Sequence, residues 1–308
     1  MLHWFTNLSI GKKLITSFLL VGIIPFAVLG YTALDASTKA LKHEALMQLE
    51  TVRGIKSAQI ENYFQRRKDD LDMLKDTLER VQKRSDSSVQ DLDTVLSGGE
   101  TDYYKNFIDK YDYYDLALIR PDGYVFYTAA KEADYQTNIK NGVHSQTNLG
   151  RLFREVIATE GFAFVDFEPY APSNNKPSSF IGRAIKGPKG NVTMVVALQI
   201  SLKGMNRIMG ERHGMGVTGE SYLIGPNYLM RSDSLMDPIN RSVSASFANP
   251  QLGSVRSKTA TAALAGDTGS ASIIDYKGKP VLSSYTPIDV FGIPWALIAE
   301  IDEAEAFK

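Results

Sequence analysis

Asp115 to Ala129 reads DLALIRPDGYVFYTA, an apolar run, a Pro-Asp-Gly turn and a second apolar run. Proline presets the turn backbone and glycine accepts the conformations other residues resist, so the stretch predicts an antiparallel hairpin. Ser221 to Asp233, SYLIGPNYLMRSD, repeats the plan with Gly-Pro-Asn at its turn. A polar segment and a short helical stretch follow each hairpin, Leu149 to Ala158 in the first copy and Thr259 to Ala265 in the second. Each copy then closes with a strand pair. The first pair is SSFIGRAI and VTMVVALQI around GPKGN; the second is KPVLSSYTPI and WALIAEI around DVFG. Strand, turn, strand, helix and strands again predicts an α+β fold of two tandem antiparallel modules, over residues 85–200 and 201–303.

Towards the N-terminus the pattern changes. Leu14 to Leu34 carries no charged residue, which is enough to cross a hydrocarbon core of ~30 Å. Lys12 and Lys13 precede it and Asp35 follows, so residues 1–13 are expected in the cytoplasm and the modules outside the inner membrane. The run exceeds a signal-peptide core and no A-x-A-like site follows it closely, which favours an uncleaved span. From residue 35 to 84 there is no proline and one glycine, Gly54, while Leu46, Leu49, Val52, Ile60, Tyr63, Leu71, Leu74, Leu78 and Val81 recur at helical spacing. A long stalk helix is expected, with its apolar stripe pairing two copies of the chain in a homodimer. Ser85 to Glu100 reads as a loop or helix break.

Composition excludes several classes of function. A net charge of −1 gives no basic surplus for nucleic acid, and the absence of cysteine removes disulfides, thiolate metal sites and thiol nucleophiles. The four histidines are scattered, no Ca²⁺ loop or P-loop is present, and no nucleophile elbow occurs. No catalytic residue, metal ligand or cofactor is expected.

The candidate binding residues lie in the first module. In FVDFEPYAPSNN, Phe164 to Asn175, strict alternation puts Phe164, Asp166, Glu168 and Tyr170 on one face, with Val165 and Phe167 on the other. Two carboxylates among aromatic rings suit an ammonium group, through charge-assisted hydrogen bonds and cation–π contact. Ser173, Asn174 and Asn175 would form a polar lip, with Phe180 on the next strand completing the wall. Tyr127, Lys131, Asp134 and Tyr135 follow the hairpin, and Lys131 could neutralise an acid or bind a carboxylate. Arg231, Asp233, Tyr222 and Tyr228 in the second module read as structural, fixing the interface between modules.

One membrane helix, a long helix and two tandem PAS-like modules resemble a bacterial transmembrane receptor with a double Cache sensor domain. The lead-in NLSIGKKL is similar to that of methyl-accepting chemotaxis proteins, and DLALIRPDGYVFYT, KEADYQTN and TGESYLIGPNYLMRSD look like segments of such sensors. The resemblance implies a small-molecule ligand in the membrane-distal first module and signalling by helix displacement. It also implies a second crossing after residues 304–308 and a cytoplasmic output domain. The expected ligand is a small polar molecule, an amine, amino acid or organic acid. Amino-acid-binding members carry Arg-x-Trp-Tyr in the pocket loop, and YTAAKEADYQTN, Tyr127 to Asn138, has neither arginine nor tryptophan, which suits an amine better than a carboxylate unless Lys131 supplies the missing charge. The alternatives are a sensor of a histidine kinase or nucleotide cyclase, and a membrane-anchored interaction module.

Overall fold

A computed structural model describes residues 9–85 and 101–307, so the expected break over Ser85 to Glu100 lies almost wholly outside the described residues. Span and stalk form one continuous helix, α1 (Ile10–Ser85), of 76 residues, with Pro25 inside it. An 18-residue window near its start has a mean hydropathy of 2.2, with nothing packed against it. It is long and apolar enough to cross a membrane. Phe18 and Phe26 stand exposed there, at 83% and 77%.

After α2 (Thr101–Tyr111), strands β1 (Tyr113–Ile119) and β2 (Val125–Thr128) form the first hairpin. Helix α3 (Asn148–Thr159) starts at a Thr147 cap and leads into β3 (Phe162–Tyr170), β4 (Lys176–Lys186) and β5 (Val192–Ile200). These strands make an antiparallel sheet in the order β2-β1-β5-β4-β3. The turn from β3 to β4 places Asn174 and Asn175 at φ 55° and 58°, a left-handed region asparagine tolerates better than most residues.

Helix α4 (Leu202–Gly210) links the halves. In the second half, β6 (Glu220–Ile224) precedes the short helices α5 (Pro238–Arg241), α6 (Val243–Ala248) and α7 (Pro250–Gly253). Helix α8 (Lys258–Leu264), strands β7 (Gly269–Ile274), β8 (Pro280–Val290) and β9 (Ile293–Asp302), and the short α9 (Glu303–Ala306) complete it. The order β6-β9-β8-β7 matches β1-β5-β4-β3 of the first sheet. The second arm of the later hairpin is reduced to one bridge, Ile224 to Met230, where the sequence predicts a full strand. Arg231 follows directly and turns its side chain inward.

α1 lies along one face of both sheets. Ile60, Phe64, Leu71, Leu74 and Leu78 pack on Leu116, Leu118, Ile181 and Val196 of the first sheet and on Trp295 and Leu297 of the second. Leu49 packs on Leu282 and Ala299. The apolar stripe expected to pair two chains is therefore covered by the chain's own sheets. The opposite face of the first sheet is covered by α3, through Leu149, Leu152, Phe153 and Val156.

Candidate functional site in the first sheet

The site forms on the α3 side of the first sheet, where acids break an otherwise apolar surface. Asp115 shares that face with Ala117 and Ile119 by the period of two, and lies opposite Gln199 of β5. Its carboxylate is 5% exposed and accepts from the backbone N–H of Leu116 at 2.7 Å and of Ala130 at 2.8 Å. Burial pushes its pKa up to about 7 against those two bonds, and the charge of Asp134 adds to the rise.

Asp134 is 3% exposed and accepts from the Tyr170 hydroxyl at 2.6 Å through Oδ2. Its Oδ1 is buried without a hydrogen-bond partner. Burial raises the Asp134 pKa, opposed by the tyrosine bond; burial and then Asp134 itself raise that of Tyr170. Around this pair, Glu132 accepts from Tyr114 at 2.8 Å and from Ser173, and Gln199 donates to Ser178 at 2.8 Å. Phe180 meets the Tyr170 ring edge-on at 5.0 Å. Next to this network a cavity of about 200 Å³ is lined by Tyr114, Ser173, Ser178 and Gln199 together with Lys176, Leu202 and Lys203; Asp115, Asp134 and Tyr170 lie outside its lining. The arrangement is rich in acceptors for a positively charged group, and an unpartnered buried carboxylate oxygen is costly until a donor meets it.

The structure brings Asp134, Tyr170 and Phe180 of the expected set together and disperses the others. Tyr127 faces the α1 side, against Tyr104 at 5.4 Å. Lys131 is exposed, at φ 51°, with its backbone N–H bonded to Thr128 Oγ1. The Tyr135 hydroxyl accepts from Gln136 at 3.3 Å. Glu168 is exposed on the edge strand and pairs with Arg151 at 2.5 Å.

Strict alternation fails in β3. A bulge between Val165 and Glu168 sends Phe164 and Phe167 to one side, and Val165 and Tyr170 to the other. Asp166 consequently leaves the site and takes Arg231 in a two-pronged ion pair, at 2.8 and 2.7 Å. The lip residues Asn174 and Asn175 line a separate groove of about 420 Å³ against α6.

Sequence reasoning passed over Asp115, Tyr114, Glu132 and Gln199. Asp115 was legible, because an acid two residues before Ala117 shares its buried face. Gln199 was not, since its meaning depends on the register opposite Asp115.

No curated protein matches the chain. A family model described as a Cache domain, dCache_1, matches residues 37–308. The ligand-binding domain of the Campylobacter jejuni chemoreceptor Tlp3, solved with 4-methylisoleucine, is similar at TM-score 0.61 and 12% identity, covering 86% of this chain and 94% of that one. The periplasmic sensory domain of C. jejuni Tlp1 follows at 0.56 and 13%, covering 84% and 95%. The ligand-binding domain of the Pseudomonas aeruginosa amino-acid chemoreceptor PctB, with L-Arg, is similar at 0.53 and 14%, covering 84% and 95%.

Proposed function

The chain belongs to the Cache domain family, and on that premise we propose that it is the sensing half of a bacterial chemoreceptor for a small ammonium-bearing molecule, an amine or an amino acid. The ligand sits on the α3 face of the first sheet. Its ammonium group donates to Asp134 Oδ1 beside Asp115, and Tyr170 and Phe180 supply ring faces and edges. The observation that carries this reading is Asp134, a buried carboxylate with one oxygen bonded to Tyr170 and the other buried without a hydrogen-bond partner. Chemoreceptor domains of the same fold, solved with amino acids bound, support it.

In this reading residues 1–13 are cytoplasmic, the apolar part of α1 spans the inner membrane, and the two sheets lie in the periplasm. Binding favours one packing of the first sheet on α1, and α1 carries the displacement across the membrane to a cytoplasmic output domain in the full-length receptor. Each receptor is a homodimer through α1. The role is recognition without chemistry.

The test is thermal melting of the 308-residue chain in detergent micelles, against primary amines, α-amino acids and dicarboxylates. Saturating ammonium compounds should raise the melting point, since ligand at 100 times Kd stabilises by about 2.7 kcal/mol. Asp134→Asn should weaken that effect at least about tenfold, the worth of a charge-assisted bond, with little change in the unliganded protein. A shift from dicarboxylates alone, or one unchanged by Asp134→Asn, overturns the assignment.

A further inference from the structure

On the α1 side of α4, the two helices leave a cavity between them of about 440 Å³. Gln59, Tyr63, Arg66 and Arg67 of α1 wall it, with Gly204 and Arg207 of α4. Arg67 is the buried member, 9% exposed and held between the rings of Tyr63 at 4.5 Å and Tyr113 at 4.6 Å. It donates through Nη1 to the Tyr111 carbonyl and lies 3.5 Å from Asp70, but its Nε–H is buried without a partner. Gln59 Oε1, further along the same helix face, is also buried and unpartnered.

Three guanidinium groups converge on this seam. Arg66, Arg67 and Arg207 line the cavity, whereas the ion pairs formed by Arg67 and Arg207 reach only Asp70 and, at 3.8 Å, Asp112. Arg66 and Arg207 are exposed, so water solvates their charges, and it is the buried Nε–H of Arg67 that lacks an acceptor. The position excludes a lipid headgroup. Gln59 stands 25 residues beyond Leu34 on a continuous helix, about 38 Å at 1.5 Å per residue.

We propose that the cavity between α1 and α4 is a second ligand site, one that takes a small oxyanion, a carboxylate or a phosphate. An anion there draws Arg67 and Arg207 together and ties the stalk to the helix that links the two sheets. Lys56 already pins the far end of α4 to α1, donating to the carbonyls of Ile208 and, at 2.8 Å, Glu211. The anion adds a second fastening two turns or more along α1.

The experiment titrates inorganic phosphate and malonate into the 308-residue chain in micelles, with chloride at matched ionic strength as reference. A saturable rise in melting point is expected from at least one of the two; malonate alone assigns a carboxylate, phosphate alone a phosphate. Arg66 and Arg207 are exposed, so Arg66→Ala and Arg207→Ala should fold normally. Each should weaken the anion about tenfold, as loss of one charged contact does. Asp134→Asn should leave the anion effect intact, which separates this site from the one in the first sheet. Shifts no larger than those of chloride, or shifts unchanged in both arginine variants, overturn the proposal.

Discussion

Arg231 is 1% exposed, and everything around it serves to make that burial tolerable. Two of its nitrogens meet Asp166, its Nη1 donates to the Leu229 carbonyl at 2.9 Å, and the rings of Phe247 and Trp295 lie 5.2 and 5.8 Å from its guanidinium. Removing either partner strands the other charge, so Arg231→Met or Asp166→Asn should each cost about 3–5 kcal/mol. The double variant should recover part of that loss, and denaturant melts of all three check it. A second buried acid sets the response to pH. Glu300 is 4% exposed, accepts from Tyr222 at 2.9 Å, and lies opposite Glu220 in the ladder. Burial raises its pKa to about 7, with Glu220 adding to the rise. An unfolded glutamate releases its proton near pH ~4.3. Between there and 7 the folded chain therefore holds more protons than the unfolded one, and Glu300 and Asp115 both make stability fall as pH rises across that window. Glu300→Gln should flatten the slope and raise the melting point at pH 8; a melting series from pH 4.5 to 8 measures both.

Among the elements, β3 carries two duties on its two sides. Phe164 and Phe167 face an aromatic cluster in which Phe64 of α1 touches Trp295 at 5.3 Å and Phe164 at 6.0 Å, while Tyr170 faces the site. The bulge makes this division possible, and it explains why the strand was only half legible. Alternation of side chains can be read from the letters, but an extra residue in one strand of a ladder is visible only once its partner is known. The first hairpin, the first arm of the second, the closing strand pairs and the two helices between them were legible because each rests on local turn residues or helical spacing. The turn after β6 is tied to the same seam. A Cβ added to Gly225 would lie 2.1 Å from Arg231 Nη2 and 2.2 Å from its Cζ. Gly225→Ala should cost about 1–3 kcal/mol as an overpacking change, and much less in an Arg231→Met background. Equal costs in the two backgrounds would show that the glycine is needed for some other reason.

At the scale of the whole molecule, α1 spends its apolar stripe on both sheets, which leaves Ile55 and Met73 exposed at 54% and 40% on its outer side. They are five turns apart, on nearly the same face, and this is the surface on which the proposed homodimer rests. A chain without cysteine makes the test clean. Ile55→Cys should form a disulfide-linked dimer under mild oxidation, whereas Val143→Cys, exposed at 83% on a loop, should stay monomeric. Equal cross-linking at both positions would count against α1 as the interface. The unbroken run of α1 from Ile10 to Ser85 has a further meaning for information flow. Both sheets and the seam with α4 bear on one rod, with no joint among the described residues at which their influences could be kept apart. In the proposed receptor this makes α1 an adder: a displacement started at either half would reach the membrane already combined with that of the other, and the cell would read the sum.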